Sequence, residues 1–378
     1  MVFIMPIELT YHEQLKIDNT LKLREILLTM PDFCKDYFRA IEVRSSTKTR
    51  ISYAYDVRIF FNYLILNNPV YKNYSTRDFT LQDIERVTSV DVEEFQEYLK
   101  VYEIDEKQIT NTEKGIARKL SALRSFYRYY YRHGFIKNDP MILIDMPKIH
   151  DKAIVRLEID EVAELLDYVE NCGTELSGQA LRYYEKTKLR DIAILTLLLG
   201  TGIRVSECVG LDINDVDFKL NRVKVVRKGG NEMHVYFGEE VEYAIKNYLY
   251  NSRKYIDAKV NHENALFLST QKTRMGIQAI ENMVRKYTKQ IIPNKKITPH
   301  KLRSTYGTNL YKETGDIYLV ADVLGHKDVN ITKKHYAALD DDRRRLAATA
   351  VRLRESLQNP TAQSQLIEDE LLEKKIKE

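Results

Sequence analysis

The chain has 378 residues, 44% hydrophobic and 30% charged, the balance of a soluble globular protein and enough length for two or three domains. That composition excludes collagenous, disulfide-scaffold and disordered classes. Lys and Arg number 59 against 55 Asp and Glu, so the formal charge is only +4 and any anionic partner must be met by local segregation of charge.

In chain order, residues 1 to 7 are apolar but short, lack a basic leader and run into Glu8, which is not a signal-peptide pattern. Residues 9 to 41 carry helical apolar spacing in two pieces: Leu15, Leu21, Leu23, Ile26 and Leu27, then, after Pro31, Phe33, Tyr37 and Ile41. Ser45, Ser46 and Thr47 offer N-caps for a helix over 48–67 whose Tyr53, Val57, Phe60, Phe61 and Leu64 mark a buried face. Further helices are expected over 89–101 and 111–133, the latter apolar along Ile116, Leu120, Leu123, Tyr127 and Tyr130. Asn138-Asp139-Pro140 and Met146-Pro147 end that periodicity, and residues 148–156 read as an extended connector at a domain boundary.

Beyond the connector, helical patterns cover 160–171 and 188–199, and two β-branched runs, 223–226 and 235–237, flank the hairpin signal Lys228-Gly229-Gly230-Asn231. Helices follow over 239–256, 276–290, 298–313 and 317–324. The longest uncharged apolar stretch, residues 192–203, is too short to span a membrane. Cys34, Cys172 and Cys208 are odd in number and lack metal-site spacing, so they read as reduced intracellular thiols of a cytoplasmic protein.

Charge is segregated in the first half. Lys114, Arg118, Lys119, Arg124, Arg128 and Arg132 lie on one predicted helix against a single acid, and Arg124, Arg128 and Arg132 repeat at i+4. Arg44, Lys48, Arg50 and Arg58 add a second cluster. A solvated helix face is the ordinary reading of such a run; contact with nucleic-acid phosphates, strengthened by counterion release, is the functional one.

The second half holds four pieces that are weak one by one. Gly200-Thr201-Gly202-Ile203-Arg204-Val205-Ser206-Glu207 ends an apolar helix in two glycines and then places an Arg beside an acid. Lys228 occupies a hairpin tip, where most lysines are simply turn residues. His300 and Arg303 follow the helix start Thr298-Pro299 at a spacing that puts them on one face. Leu324-Gly325-His326 reads as a helix end with an exposed His beyond it, and Tyr336 follows on a further short helix. With 26 tyrosines in the chain, composition cannot select a nucleophile, but order and spacing can.

In that order and spacing, Arg204, Lys228, His300, Arg303, His326 and Tyr336 resemble the signature of the tyrosine recombinases, also called the phage-integrase family. The resemblance covers residues 155 to 345 and, more loosely, a helical DNA-clamping region over 45 to 147. Arg227-Lys228-Gly229-Gly230, residues 182–199 and the helices before residue 45 are similar to the Xer recombinases, including the single-protein kind that resolves chromosome dimers in some Gram-positive bacteria. Ser304 departs from the pattern, since many members carry a second His there, outside the catalytic set. A β-rich arm-binding module of the lambda-integrase type is missing from the opening segment, whose helices would join the core-binding domain or the assembly.

The fold implied is mainly α with a small β-sheet: a two-domain, C-shaped DNA clamp. Its parts would be a helical extension (1–44), a helical SAM-like core-binding domain (45–147), a linker (148–156), an α+β catalytic domain (157–345) and a helical tail (346–378). The resemblance makes Tyr336 the nucleophile, Arg204 and Arg303 the phosphate clamp, His326 a further donor, His300 the base and Lys228 the acid for the leaving 5′ oxygen. The chemistry agrees: phosphoryl transfer is aided most by fixed cations around the non-bridging oxygens, and a phenol with a pKa near ~10 needs its proton accepted. No P-loop pattern or paired acidic cluster for two metals is present in the sequence, and the expected reaction uses no cofactor, metal or ATP.

The expected partner is double-stranded DNA with an inverted-repeat core site. The tail's Leu366, Ile367, Leu371, Leu372 and Ile376 would dock on a neighbouring protomer of a homotetramer on two duplexes, with room for an accessory protein, in the nucleoid; a self-packed or frayed C-terminus is the alternative. Chromosome-dimer resolution is favoured over integration or excision of a mobile element. Strand passage within one duplex, as in type IB topoisomerases or telomere resolvases, and a non-catalytic DNA-binding regulator are the other readings.

Overall fold

A computed structural model describes residues 9–104, 106–150, 155–227, 229–326 and 328–329, and the chain divides into two units, Met1–Ala153 and Ile154–Glu378. Four helices of the first unit start where a hydroxyl side chain accepts an otherwise unpaired amide. Thr10 accepts from the Glu13 amide at the start of α1 (Tyr11–Leu27), and Glu13 returns to the Thr10 amide at 2.9 Å. After Pro31 comes α2 (Cys34–Ala40), and Ser46 caps α3 (Thr47–Asn67). Thr80 with Asp83 and Thr88 with Asp91 repeat the reciprocal capping pair at α4 (Leu81–Arg86) and α5 (Ser89–Tyr98).

The helix expected over 89–101 stops at Tyr98. Val101-Tyr102-Glu103-Ile104 instead forms β1 (Val101–Ile104), paired antiparallel with β2 (Lys107–Thr110), with Glu106 at φ 62° between them. Four β-branched and aromatic-rich residues are too few for the period to separate strand from helix. The unit closes with α6 (Glu113–Arg132). Phe60, Phe61, Phe95, Phe126, Tyr127 and Tyr130 are fully buried in one aromatic core, where each ring contributes about 1.5–3 kcal/mol. Leu23, Ile26, Met30, Tyr37 and Phe38 lie in the same core, and the Tyr130 hydroxyl donates to the Phe33 carbonyl at 2.9 Å. The first two helices are therefore part of this core, although Leu15 and Leu21 of α1 face solvent.

The second unit begins with α7 (Ile159–Asn171) and α8 (Gly178–Thr201). α8 starts ten residues before the apolar pattern, its first turns mostly solvent-facing, with Tyr184 buried and its hydroxyl donating to the Glu170 carbonyl at 2.8 Å. α9 (Val205–Gly210) leads to an antiparallel sheet of order β3 (Val216–Asp217), β4 (Arg222–Val226), β5 (Glu232–Tyr236). Val223 and Val225 point inward opposite Val235 and Met233, and the Arg227 amide closes the β4–β5 turn on the Asn231 carbonyl at 2.8 Å. α10 (Glu239–Asn251) ends at Ser252, earlier than expected, because Arg253 turns inward to the carbonyls of Glu263 and Ala265. α11 (Ile277–Ile291), α12 (Pro299–Thr314) and α13 (Ile317–Leu324) complete the described fold. Among the described residues no helix is long and apolar enough to cross a membrane.

Candidate active site

The site is built at helix ends. α8 stops at Gly202, whose φ of 63° suits glycine and whose side-chain space is taken by Tyr306 and Leu324. The chain then turns through buried Ile203, so that Arg204 becomes the residue preceding α9. Glu207, 3% exposed, accepts the Arg204 amide and the Arg204 Nη1, each at 2.8 Å. The acid three residues on is thus the clamp that orients the arginine, and it supplies the negative charge that makes a cation-rich site tolerable.

α12 starts with Pro299 in its first turn after Thr298. His300 is exposed near that start, and Arg303, one turn later, is only 4% exposed. Arg303 Nη1 donates to the Gly202 carbonyl at 2.6 Å and Nη2 to the Leu324 carbonyl. A small apolar cluster of Tyr311, Val320 and Leu324 packs α13 against α12 and holds that carbonyl in place.

α13 is capped by Asp316 and ends at Gly325, with φ 61°. The His326 amide returns to the Ala321 carbonyl and the Gly325 amide to Asp322, both at 2.8 Å. The next carbonyls are each met by an arginine: Val323 by Arg227 at 2.7 Å, Leu324 by Arg303, and Gly325 by Arg204 at 3.5 Å. Cations at a helix C-terminus are favoured by its partial negative charge. His326 follows directly and is half-buried, less open than the sequence implied, because the returning backbone folds it toward α13.

Arg204, Arg303 and the backbone carrying His326 are therefore brought together, with His300 one turn from Arg303. Lys228, Tyr336 and the tail from 346 lie outside the described residues. Sequence reasoning missed two members. Glu207 had a signal, its place as the acid three residues from Arg204; Arg227 stood only within the Arg227-Lys228-Gly229-Gly230 likeness, and its carbonyl partners, about a hundred residues away in the chain, left no local trace.

The basic residues of the first unit divide. Arg44, Lys48, Lys114, Arg128 and Arg132 are exposed. Arg118 is half-exposed and forks the buried Asp56 at 2.5 and 2.8 Å. Arg50 is buried against Glu42, Lys119 is buried with Nζ on Asn111 Oδ1 at 2.9 Å, and Arg124 donates to the Ile144 carbonyl at 2.8 Å. These three serve the fold, so the continuous stripe expected along 114–132 is interrupted.

Residues 155–343 match the sequence family described as Phage integrase family, and residues 34–134 match the Phage integrase, N-terminal SAM-like domain. The tyrosine recombinase XerS of Streptococcus thermophilus is 31% identical over 351 residues, covering 85% of this chain and 96% of its own length. The tyrosine recombinase XerC of Caldanaerobacter subterraneus is 31% identical over 318 residues, covering 82% and 83%. Among solved structures, the XerH site-specific recombinase bound to palindromic difH substrate shares the fold, with TM-score 0.58 and 17% identity over 80% of this chain and 79% of that one. With both sequence matches spread across the two units, and with two arginines of the expected set meeting at one helix end, the chain belongs to the phage integrase family and is a Xer-like tyrosine recombinase, an enzyme that cuts and rejoins DNA.

Proposed function

We propose that this recombinase cleaves each strand through a 3′-phosphotyrosyl intermediate on Tyr336 and acts in chromosome-dimer resolution. The observation that carries the reading is the convergence of Arg204 and Arg303, from α9's start and α12, on the adjacent carbonyls of Gly325 and Leu324 beside His326. Guanidiniums fixed there can meet the non-bridging oxygens of a scissile phosphate without reorganisation as charge develops. The Tyr336 oxygen bonds to phosphorus as the P–O5′ bond breaks; His300 takes the phenolic proton and Lys228 gives one to the 5′ oxygen. A 5′-hydroxyl of the partner duplex then attacks the phosphotyrosine, expels Tyr336 and restores a phosphodiester. One ester replaces another, so no ATP or metal enters the balance.

A DNA duplex with an inverted-repeat core is the partner in this reading. Its support is that neighbouring folds were solved on DNA: XerH on difH, the Tn1549 transposon integrase on circular intermediate DNA, and lambda integrase as a dimer on a core site. The tail from 346 would link protomers into a tetramer on two duplexes in the nucleoid. Arg44, Lys48, Lys114, Arg128 and Arg132 are the phosphate contacts of the first unit. Arg128→Ala is expected to lower DNA affinity alike on all sequences and to reduce the slope of log affinity against log salt by about 1. Lys119→Met is instead expected to lower the domain's melting temperature, because it leaves the side chain of Asn111 without its lysine.

Capture decides the biological role. Incubating the protein with sheared genomic DNA, denaturing in SDS and sequencing the attached fragments is expected to return one chromosomal inverted-repeat site. Recovery of the ends of a mobile element would make integration and excision the function instead.

A further inference from the structure

The third arginine at the end of α13 belongs to no part of the expected set. Arg227 leaves β4 at the tip of the β4–β5 hairpin, where its amide bonds the Asn231 carbonyl at 2.8 Å and its own carbonyl accepts the Gly230 amide at 3.0 Å. Its guanidinium crosses to α13, with Nη2 on the Val323 carbonyl at 2.7 Å and Nη1 at 3.5 Å from that of Asp322. It lies so close over Gly325 that a Cβ there would overlap it. Burial lowers the Arg227 pKa and the neighbouring Arg204 lowers it further, while Glu207 and Asp322 oppose the shift. A guanidinium stays charged through such changes near neutral pH.

Two facts give this contact a role beyond capping a helix. Arg227 is bonded in sequence to Lys228, and of the next two residues, Gly229 at φ 102° and Gly230 at φ 85°, neither has an atom of the described residues within 4 Å of where a side chain would start. Among the described residues the glycine side of the tip is thus without packing neighbours, whereas the Arg227 side is tied to the same four-residue stretch that Arg204 and Arg303 hold. A lysine on a flexible stem delivers a proton efficiently only from a fixed base point, since orientation is a large share of the catalytic gain.

We propose that Arg227 is a positioning residue: by tying the end of β4 to the last carbonyls of α13 it fixes the backbone to which Lys228 is joined in sequence. Arg227 itself transfers no proton. The inference rests on the reading of Lys228 as the acid that protonates the leaving 5′ oxygen.

The test is single-turnover cleavage by the full chain of a nicked duplex carrying the captured site, with either a phosphodiester or a 5′-bridging phosphorothiolate at the scissile position. A thiolate departs without a proton, because a thiol's pKa is near ~8.5 and an alcohol's far higher. Arg227→Met is expected to cleave the phosphodiester about 10- to 100-fold more slowly, and the phosphorothiolate within about threefold of the unmodified protein. Arg227→Lys, which keeps the charge but not the fork, is expected to show the same relief and serves as the deciding variant if Arg227→Met no longer binds DNA. Equal slowing on both substrates, or no slowing on either, overturns the proposal. Lys228→Met separates the two readings: if its defect is relieved by sulfur and that of Arg227→Met is not, only the positioning role falls; if its own defect is not relieved, the acid assignment falls and takes the positioning role with it.

Discussion

Arg303→Ala is expected to slow strand cleavage by about 10²–10³-fold while costing the second unit on the order of 2–5 kcal/mol of stability. The two losses have separate causes. Arg303 is 4% exposed and donates to the carbonyls of Gly202 and Leu324, so truncation leaves two interior acceptors unpaired and loosens the junction of α8 and α13. The rate loss comes from removing a fixed cation from the phosphate. Urea unfolding measures the first effect, and single-turnover cleavage at saturating protein measures the second on the folded fraction. Arg303→Lys is expected to recover little of either, because a compact ammonium lacks the planar fork with which Arg303 spans the Gly202 and Leu324 carbonyls. Cleavage within a few-fold of the unmodified rate in a folded Arg303→Ala protein would remove this arginine from the phosphate site.

Tyr336→Phe is expected to abolish the SDS-resistant DNA adduct and all recombinant product, and to leave site affinity within about twofold, since only a hydroxyl is removed. An unchanged adduct yield would place the nucleophile elsewhere. If nicking persisted without any adduct, a hydrolytic reaction would be indicated. Relaxation of supercoiled plasmid by the unmodified protein without recombinant products would favour strand passage within one duplex.

Elements with chemical punctuation were legible in the sequence. Ser46 marks the start of α3, Gly325 ends α13, and Lys228-Gly229-Gly230-Asn231 announces the β4–β5 turn. Arg204 and Arg303 were legible as a pair through the order and spacing they share with the tyrosine-recombinase signature, each piece being weak alone. What failed to show depends on tertiary partners. Lys119 and Arg50 were grouped with surface cations by charge, yet Lys119 follows Ile116 by three residues and precedes Leu123 by four, which places it on the buried side of α6. Arg50 likewise precedes Ala54 and Val57 on the buried side of α3. Periodicity assigns a face regardless of residue type, and in both cases a polar partner, Asn111 or Glu42, makes the buried position affordable. The reach of Arg227 to Val323 had no local trace, because contacts between distant segments are set by packing and not by spacing.

The central claim is that one phenol takes the scissile phosphate beside these arginines without a metal. Its most direct test is to form the covalent complex in EDTA, digest DNA and protein, and locate the phosphonucleotide by mass spectrometry. The expected result is modification confined to the tryptic peptide of residues 335–343, on Tyr336. Modification of a different tyrosine, or strand cutting that requires added metal and leaves no adduct, would contradict it.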